Sequence, residues 1–232
     1  MQNNTRIRAV GSVVFLAAEL AFLIAIQLTS GRTNDVLCVL SILLALIFAT
    51  LFGKRSRDGL LVSLALACTL VADAILQFSD PIQRLPAMLL FSATQILYAL
   101  LLLAWQPRDK RTRYLVLYGV IAAAALSLTV AILGKNADAV SLVSLFYYAT
   151  LAVNILSSFR TRRSLAFALG LVFFILCDTL VGLDVMMLEY IPLSPDSLIY
   201  RLTHTGIDLV WLFYVPAQTL IALSTAKRRL KP

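Results

Sequence analysis

The run LLVSLALACTLVADAILQF, residues Leu60–Phe78, sets a carboxylate, Asp73, inside an otherwise apolar helix-length segment. About 20 such residues cross a bilayer as a helix. A charged carboxylate in hydrocarbon costs about 2.5–3.5 kcal/mol on insertion scales, so residues of this kind line a cavity or a pathway. A second run, Ser164–Leu188, carries Asp178 in the same way. Two carboxylates in matching positions need one explanation.

The rest of the chain has the same texture. Of its 232 residues, 60% are hydrophobic, and the mean hydropathy is +0.89. Working outward from Leu60–Phe78, eight apolar runs are present: Ala9–Thr29, Val36–Phe52, Gly59–Phe78, Pro86–Trp105, Tyr114–Leu133, Ala139–Phe159, Ser164–Leu188 and Ser197–Thr225. Short connections leave no room for a soluble domain. The expectation is one all-α integral membrane domain over residues 1–232, an eight-helix transmembrane bundle.

The net charge of +8 does not indicate nucleic acid, because it is distributed by topology. Arg6 and Arg8, then Lys54, Arg55 and Arg57, then Arg108, Lys110, Arg111 and Arg113 fall in alternate connections. Arg160, Arg162 and Arg163, and finally Lys227, Arg228, Arg229 and Lys231, complete sixteen on one side. Arg32, Arg84, Lys135 and Arg201 are the four on the other. Cytoplasmic connections carry the excess of Lys and Arg, so both termini are expected in the cytoplasm. Arg6 and Arg8 ahead of the first run resemble a signal peptide. That run is too long for an h-region and lacks a small-x-small site, so it reads as a retained helix.

Several polar residues sit inside the runs. Glu19, in the first, either pairs with a neighbouring helix or reaches a pocket. Thr69, Asp73 and Gln77 share one face of the third, and Ser92, Gln95 and Tyr98 share one face of the fourth. The short Asp80–Leu85 connection predicts that these two helices pack together. In the sixth, Tyr147 and Tyr148 read as interfacial tyrosines. In the eighth, Arg201, His204, Asp208 and Trp211 fall on one stripe, and Pro216 predicts a kink. His204 is the only histidine, and beside Asp208 it reads as structural or as catalytic. Arg201, with His204 behind it, suits the phosphate of a lipid head group, or equally a general interfacial arginine.

Asp73 and Asp178 each lie about 14 residues, roughly 21 Å, along helices running in the same direction. Ala72-Asp73-Ala74-Ile75-Leu76 matches Cys177-Asp178-Thr179-Leu180-Val181 in pattern, a weak sign of a four-plus-four helix repeat. The two carboxyl groups are expected about 5–10 Å apart across one pocket, also lined by Gln95 and Tyr98. Two carboxylates in different environments can divide into an acid and a charge stabiliser. Cys38, Cys68 and Cys177 show no metal or disulfide spacing, and no nucleophile or phosphate-loop motif is present. No cofactor and no metal are implied.

Ala72-Asp73, Gln95-Ile96-Leu97-Tyr98, Cys177-Asp178 and Tyr214-Val215-Pro216-Ala217-Gln218 fall in order along the chain. This set resembles the YhhN-type lysoplasmalogenase family, whose pattern has Gly-Asp, His-x-x-Tyr, Ser-Asp and Tyr-x-x-Ala-Gln. Ala72, Gln95 and Cys177 depart from it, as in a divergent member. The resemblance implies hydrolysis of the vinyl-ether bond of a lysoplasmalogen by Asp73 and Asp178. Gln95, Tyr98, Arg201, His204, Asp208, Tyr214 and Gln218 would bind a lysophospholipid among membrane lipids, and the expected location is a bacterial inner membrane. A proton-coupled carrier, or an inactive lipid-binding descendant of the enzyme, would also place acids in these helices.

Overall fold

The computed structural model describes residues 2–53, 56–161, 163–189, 194, 196–197, 200–201 and 205–226. It is all-helical, with no strand among the described residues. Its main elements are α1 (Gln2–Leu28), α2 (Arg32–Gly53), α3 (Arg57–Phe78) and α4 (Arg84–Trp105), then α5 (Arg111–Leu133), α6 (Ala139–Thr161), α7 (Leu165–Glu189) and α8 (Leu209–Leu223). Seven of these are long and apolar enough to cross a membrane. The chain is a multi-pass helical membrane protein.

The helices α2 to α5 begin two to four residues ahead of the apolar stretch that announces them. Arg32 opens α2, Arg57 opens α3 and Arg84 opens α4, because the backbone bonds of a helix are satisfied internally whatever its side chains. The last helix does the opposite. A helix starting near Ser197 was expected; α8 begins only at Leu209 and has 15 residues, about 22 Å at 1.5 Å per residue. The cause is Asp208. Its backbone is extended, and its carboxylate accepts a hydrogen bond from the Trp211 N–H at 3.1 Å, an N-cap. Gln27, at the end of α1, then holds that cap by both amide atoms. Its Nε2 donates to the Asp208 carbonyl at 2.9 Å and its Oε1 accepts from the Asp208 N–H at 2.8 Å. The helix continues through Pro216 to Leu223.

The packing follows the chain and then closes on itself. α2 packs on α3, α3 on α4, α4 on α6, α6 on α7 and α7 on α8. α8 returns to α2, with α1 laid across α2 and α8, and α5 outside against α6. At the basic end, α2 and α3 approach so closely that a Cβ on Gly59 would lie 2.0 Å from the Gly53 carbonyl oxygen. The Ser56 hydroxyl caps α3 there, accepting from the Gly59 N–H at 3.0 Å. The expected α3–α4 pairing is present: Thr69 and Thr94 share a hydrogen bond of 3.2 Å, and Thr94 also donates to the Ala65 carbonyl. Glu19 takes the pairing role, accepting from the Ser41 hydroxyl of α2 at 2.7 Å, fully inside the α1–α2 contact.

Candidate functional site

Each of the two aspartates meets a tyrosine from a neighbouring helix. Asp73 is buried on α3 and accepts a hydrogen bond of 2.7 Å from the Tyr214 hydroxyl of α8. Asp178, on α7, accepts one from the Tyr147 hydroxyl of α6. The tyrosines are themselves buried, at 3% and 4% exposure, so neither can be replaced by water from bulk. A carboxylate in a dry interior needs such donors, since an unpaired one there is costly.

One aromatic side chain links the two pairs. The Phe174 ring lies 5.4 Å from Tyr214 and 6.5 Å from Tyr147, edge-on to both. Phe91 of α4 stands 5.8 Å from Tyr147 and 6.4 Å from Phe174, and Trp211 lies 5.1 Å from Tyr214. Asp73 and Asp178 thus meet the same aromatic cluster, each through a tyrosine that flanks Phe174. The site is therefore two tyrosine-bound carboxylates around an apolar aromatic wall, built from α3, α4, α6, α7 and α8.

Tyr147 departs from its expected interfacial role. It starts a buried polar face on α6 that continues through Thr150, Asn154 and Ser157, at helical spacing. That periodicity was the available signal. Tyr148, the next residue, bonds Thr179 at 2.8 Å on the exposed side. Consecutive residues of α6 thus pair with consecutive residues of α7.

Gln95 and Tyr98 are both fully buried, as expected of one inward face, but neither bonds a carboxylate. Asn154 Nδ2 donates to the Gln95 side-chain oxygen at 3.0 Å and to its carbonyl at 2.9 Å. The Tyr98 ring packs edge-on to Phe167 at 5.3 Å. Antiparallel packing explains this. The Thr69–Thr94 contact fixes the α3–α4 register, so residues following Thr94 on α4 lie toward the basic end, away from Asp73. Gln218 is buried one turn along α8 from Tyr214, toward the same end.

The expected stripe of Arg201, His204, Asp208 and Trp211 does not exist as one helix face, because α8 starts after Asp208. Asp208 and Arg201 are exposed, and His204 lies outside the described residues. Asp208 instead caps α8 through the N–H of Trp211, whose ring lies 5.1 Å from Tyr214. Among the described residues, no cluster of three or more His, Cys, Asp or Glu could hold a metal.

Fold and site together define a polytopic helical membrane protein with a paired-aspartate centre inside the bundle. No curated protein and no solved structure matches the chain. The model of the YhhN family matches residues 33–225, which takes in α2 to α8 and both aspartates. The chain belongs to the YhhN family.

Proposed function

We propose that the protein is a lysoplasmalogenase, hydrolysing the vinyl-ether bond of a lysoplasmalogen to a fatty aldehyde and glycerophosphoethanolamine or glycerophosphocholine. The observation that carries the reading is the pair of intrabundle aspartates, each bound by a tyrosine and set around Phe174. Membership of the YhhN family, which is associated with this activity, supports it.

A vinyl ether is cleaved by protonation at carbon. One aspartic acid donates its proton to the carbon distal to the ether oxygen, and the double bond's electrons form the new C–H bond. The oxocarbenium ion left behind lies against the other aspartate, whose negative charge stabilises it. Water adds to the cationic carbon and gives up a proton to a carboxylate. The hemiacetal then collapses to aldehyde and alcohol, breaking the bond between that carbon and the ether oxygen, which leaves as the glycerol hydroxyl. The sum is one water consumed and no net proton. The division of labour is that of a glycosidase carboxylate pair.

The tyrosines orient the pair by holding one oxygen of each carboxyl group. Gln95 stands where the family pattern has histidine, and an amide held by Asn154 cannot relay a proton, so the acid–base work falls to Asp73 and Asp178. The apolar wall of Phe91 and Phe174 suits an alkenyl chain and keeps bulk water from the cation. The enzyme would sit in a bacterial inner membrane with both termini cytoplasmic, taking lysophospholipid from the surrounding bilayer. Purified protein incubated with a lysoplasmalogen should release fatty aldehyde. A preparation that is folded and binds the lipid but releases none would reject the reading.

A further inference from the structure

Gln218 is 1% exposed, yet neither its Nε2 nor its Oε1 has a hydrogen-bond partner among the described residues. Buried side-chain amides are paired in the great majority of structures, so an amide with donor and acceptor both open asks what it is meant to hold. Its place is informative. Gln218 follows Tyr214 by one turn on the same face of α8, about 6 Å along the axis, and the Tyr214 hydroxyl is bonded to Asp73. α7 closes tightly behind this turn: a Cβ on Gly170 would lie 2.9 Å from the Ala217 carbonyl oxygen and 2.7 Å from Ile221. Across the bundle on α4, the Gln95 Nε2 and the Tyr98 hydroxyl, both fully buried, are likewise unpaired.

An open amide is matched by a group that donates and accepts at once. An alcohol hydroxyl does both. An ester carbonyl and a phosphate oxygen only accept, and an ammonium only donates. In a lysoplasmalogen the free hydroxyl sits on the glycerol carbon next to the one that bears the vinyl-ether oxygen. A vinyl ether held at Asp73 brings that hydroxyl within a helix turn of the reacting carbon. We propose that Gln218 binds the free glycerol hydroxyl of the substrate and thereby selects the lyso form over the acylated lipid. This rests on the function proposed above. An acylated lipid has no hydroxyl there to donate, and its ester oxygens only accept. A site built to bond a substrate hydroxyl rejects an analogue lacking it far more strongly than an apolar pocket rejects a missing methylene.

The test compares a 1-alkenyl lysophospholipid with its 2-deoxy analogue, using the purified full-length protein. Wild type should favour the hydroxyl-bearing lipid in kcat/KM by about 100-fold or more. Gln218→Leu should lose most of its rate on that lipid and keep its rate on the deoxy analogue, so that the ratio falls toward one. Equal loss on both lipids, or an unchanged ratio, would overturn the proposal. The wild-type comparison needs no variant to fold. Binding separates this inference from the catalytic one. A saturated 1-alkyl lysophospholipid, which has no bond to cleave, should bind wild type at least about tenfold more tightly than its 2-deoxy analogue and bind Gln218→Leu no better than that analogue. Equal wild-type affinity for the two saturated lipids overturns the role of Gln218, while hydroxyl-dependent binding without aldehyde release overturns only the hydrolysis.

Discussion

At the scale of single residues, Asp73 and Asp178 have the same chemistry and different company. Asp73 is enclosed between α3 and α8, and Asp178 is only partly buried between α7 and α6. Unequal environments are what separate an acid from a charge stabiliser in paired-carboxylate enzymes. Asp73→Asn and Asp178→Asn should each lower the rate of aldehyde release by about 100- to 10,000-fold, the usual worth of a positioned acid or base. Both variants should keep a cooperative thermal transition, because asparagine preserves size and can still accept from tyrosine. An asparagine variant with full activity would make that residue structural. Tyr147→Phe and Tyr214→Phe remove a donor to a carboxyl group, an interaction worth about 1.5–3 kcal/mol. Each should slow turnover by tenfold or more while leaving the aromatic contacts with Phe174 in place, and Tyr148→Phe, on the exposed side, should not.

At the scale of elements, the close approaches are where sequence changes should be felt. Gly59 on α3 faces the Gly53 carbonyl at the α2 end, and the same Gly53 lies against Thr225 beyond α8. Gly59→Ala forces these helix ends apart and should cost about 1–3 kcal/mol, the range for overpacking a filled interior. Gly119 on α5 is the control, since nothing lies within 4 Å of a Cβ placed there. Gly119→Ala should leave the thermal midpoint unchanged or slightly raised, and a loss as large as that of Gly59→Ala would refute the packing argument. The Gln27–Asp208 clamp is a second such contact. It joins α1, all of which precedes the matched family region, to the cap of α8, six residues before Tyr214.

At the scale of the molecule, α2, α3, α4, α6, α7 and α8 enclose the polar interior, while α5 is largely exposed and touches chiefly α6. The tyrosines that serve the two aspartates come from α6 and α8, which are not corresponding helices in a four-plus-four repeat. The sixteen-to-four division of Lys and Arg sets the expected orientation. A reporter fused after Pro232 should therefore read as cytoplasmic, and one inserted in the connection at Lys135 as external. The same side for both would refute the assignment.

Hydropathy, charge alternation and helical spacing are properties of neighbours along the chain, and they determined the helical bundle, the pairing of α3 with α4 and the two interior aspartates. What they could not reach was contact between distant residues. Tyr147 and Tyr148 are adjacent and chemically identical, and only the packing of α6 against α4 and α7 turns one toward Asp178 and the other toward Thr179. The start of α8 was hidden for the same reason. Ser197–Thr225 is apolar enough to read as one helix, but the cap at Asp208 is held by Gln27, far away in sequence. Likewise, Gln95 shares a face with Ser92 and Tyr98 as its spacing requires, yet the antiparallel register of α4 carries it past Asp73 to Asn154. Secondary structure in a bilayer is decided locally because each helix satisfies its own backbone. Which side chains meet is decided by how the helices pack.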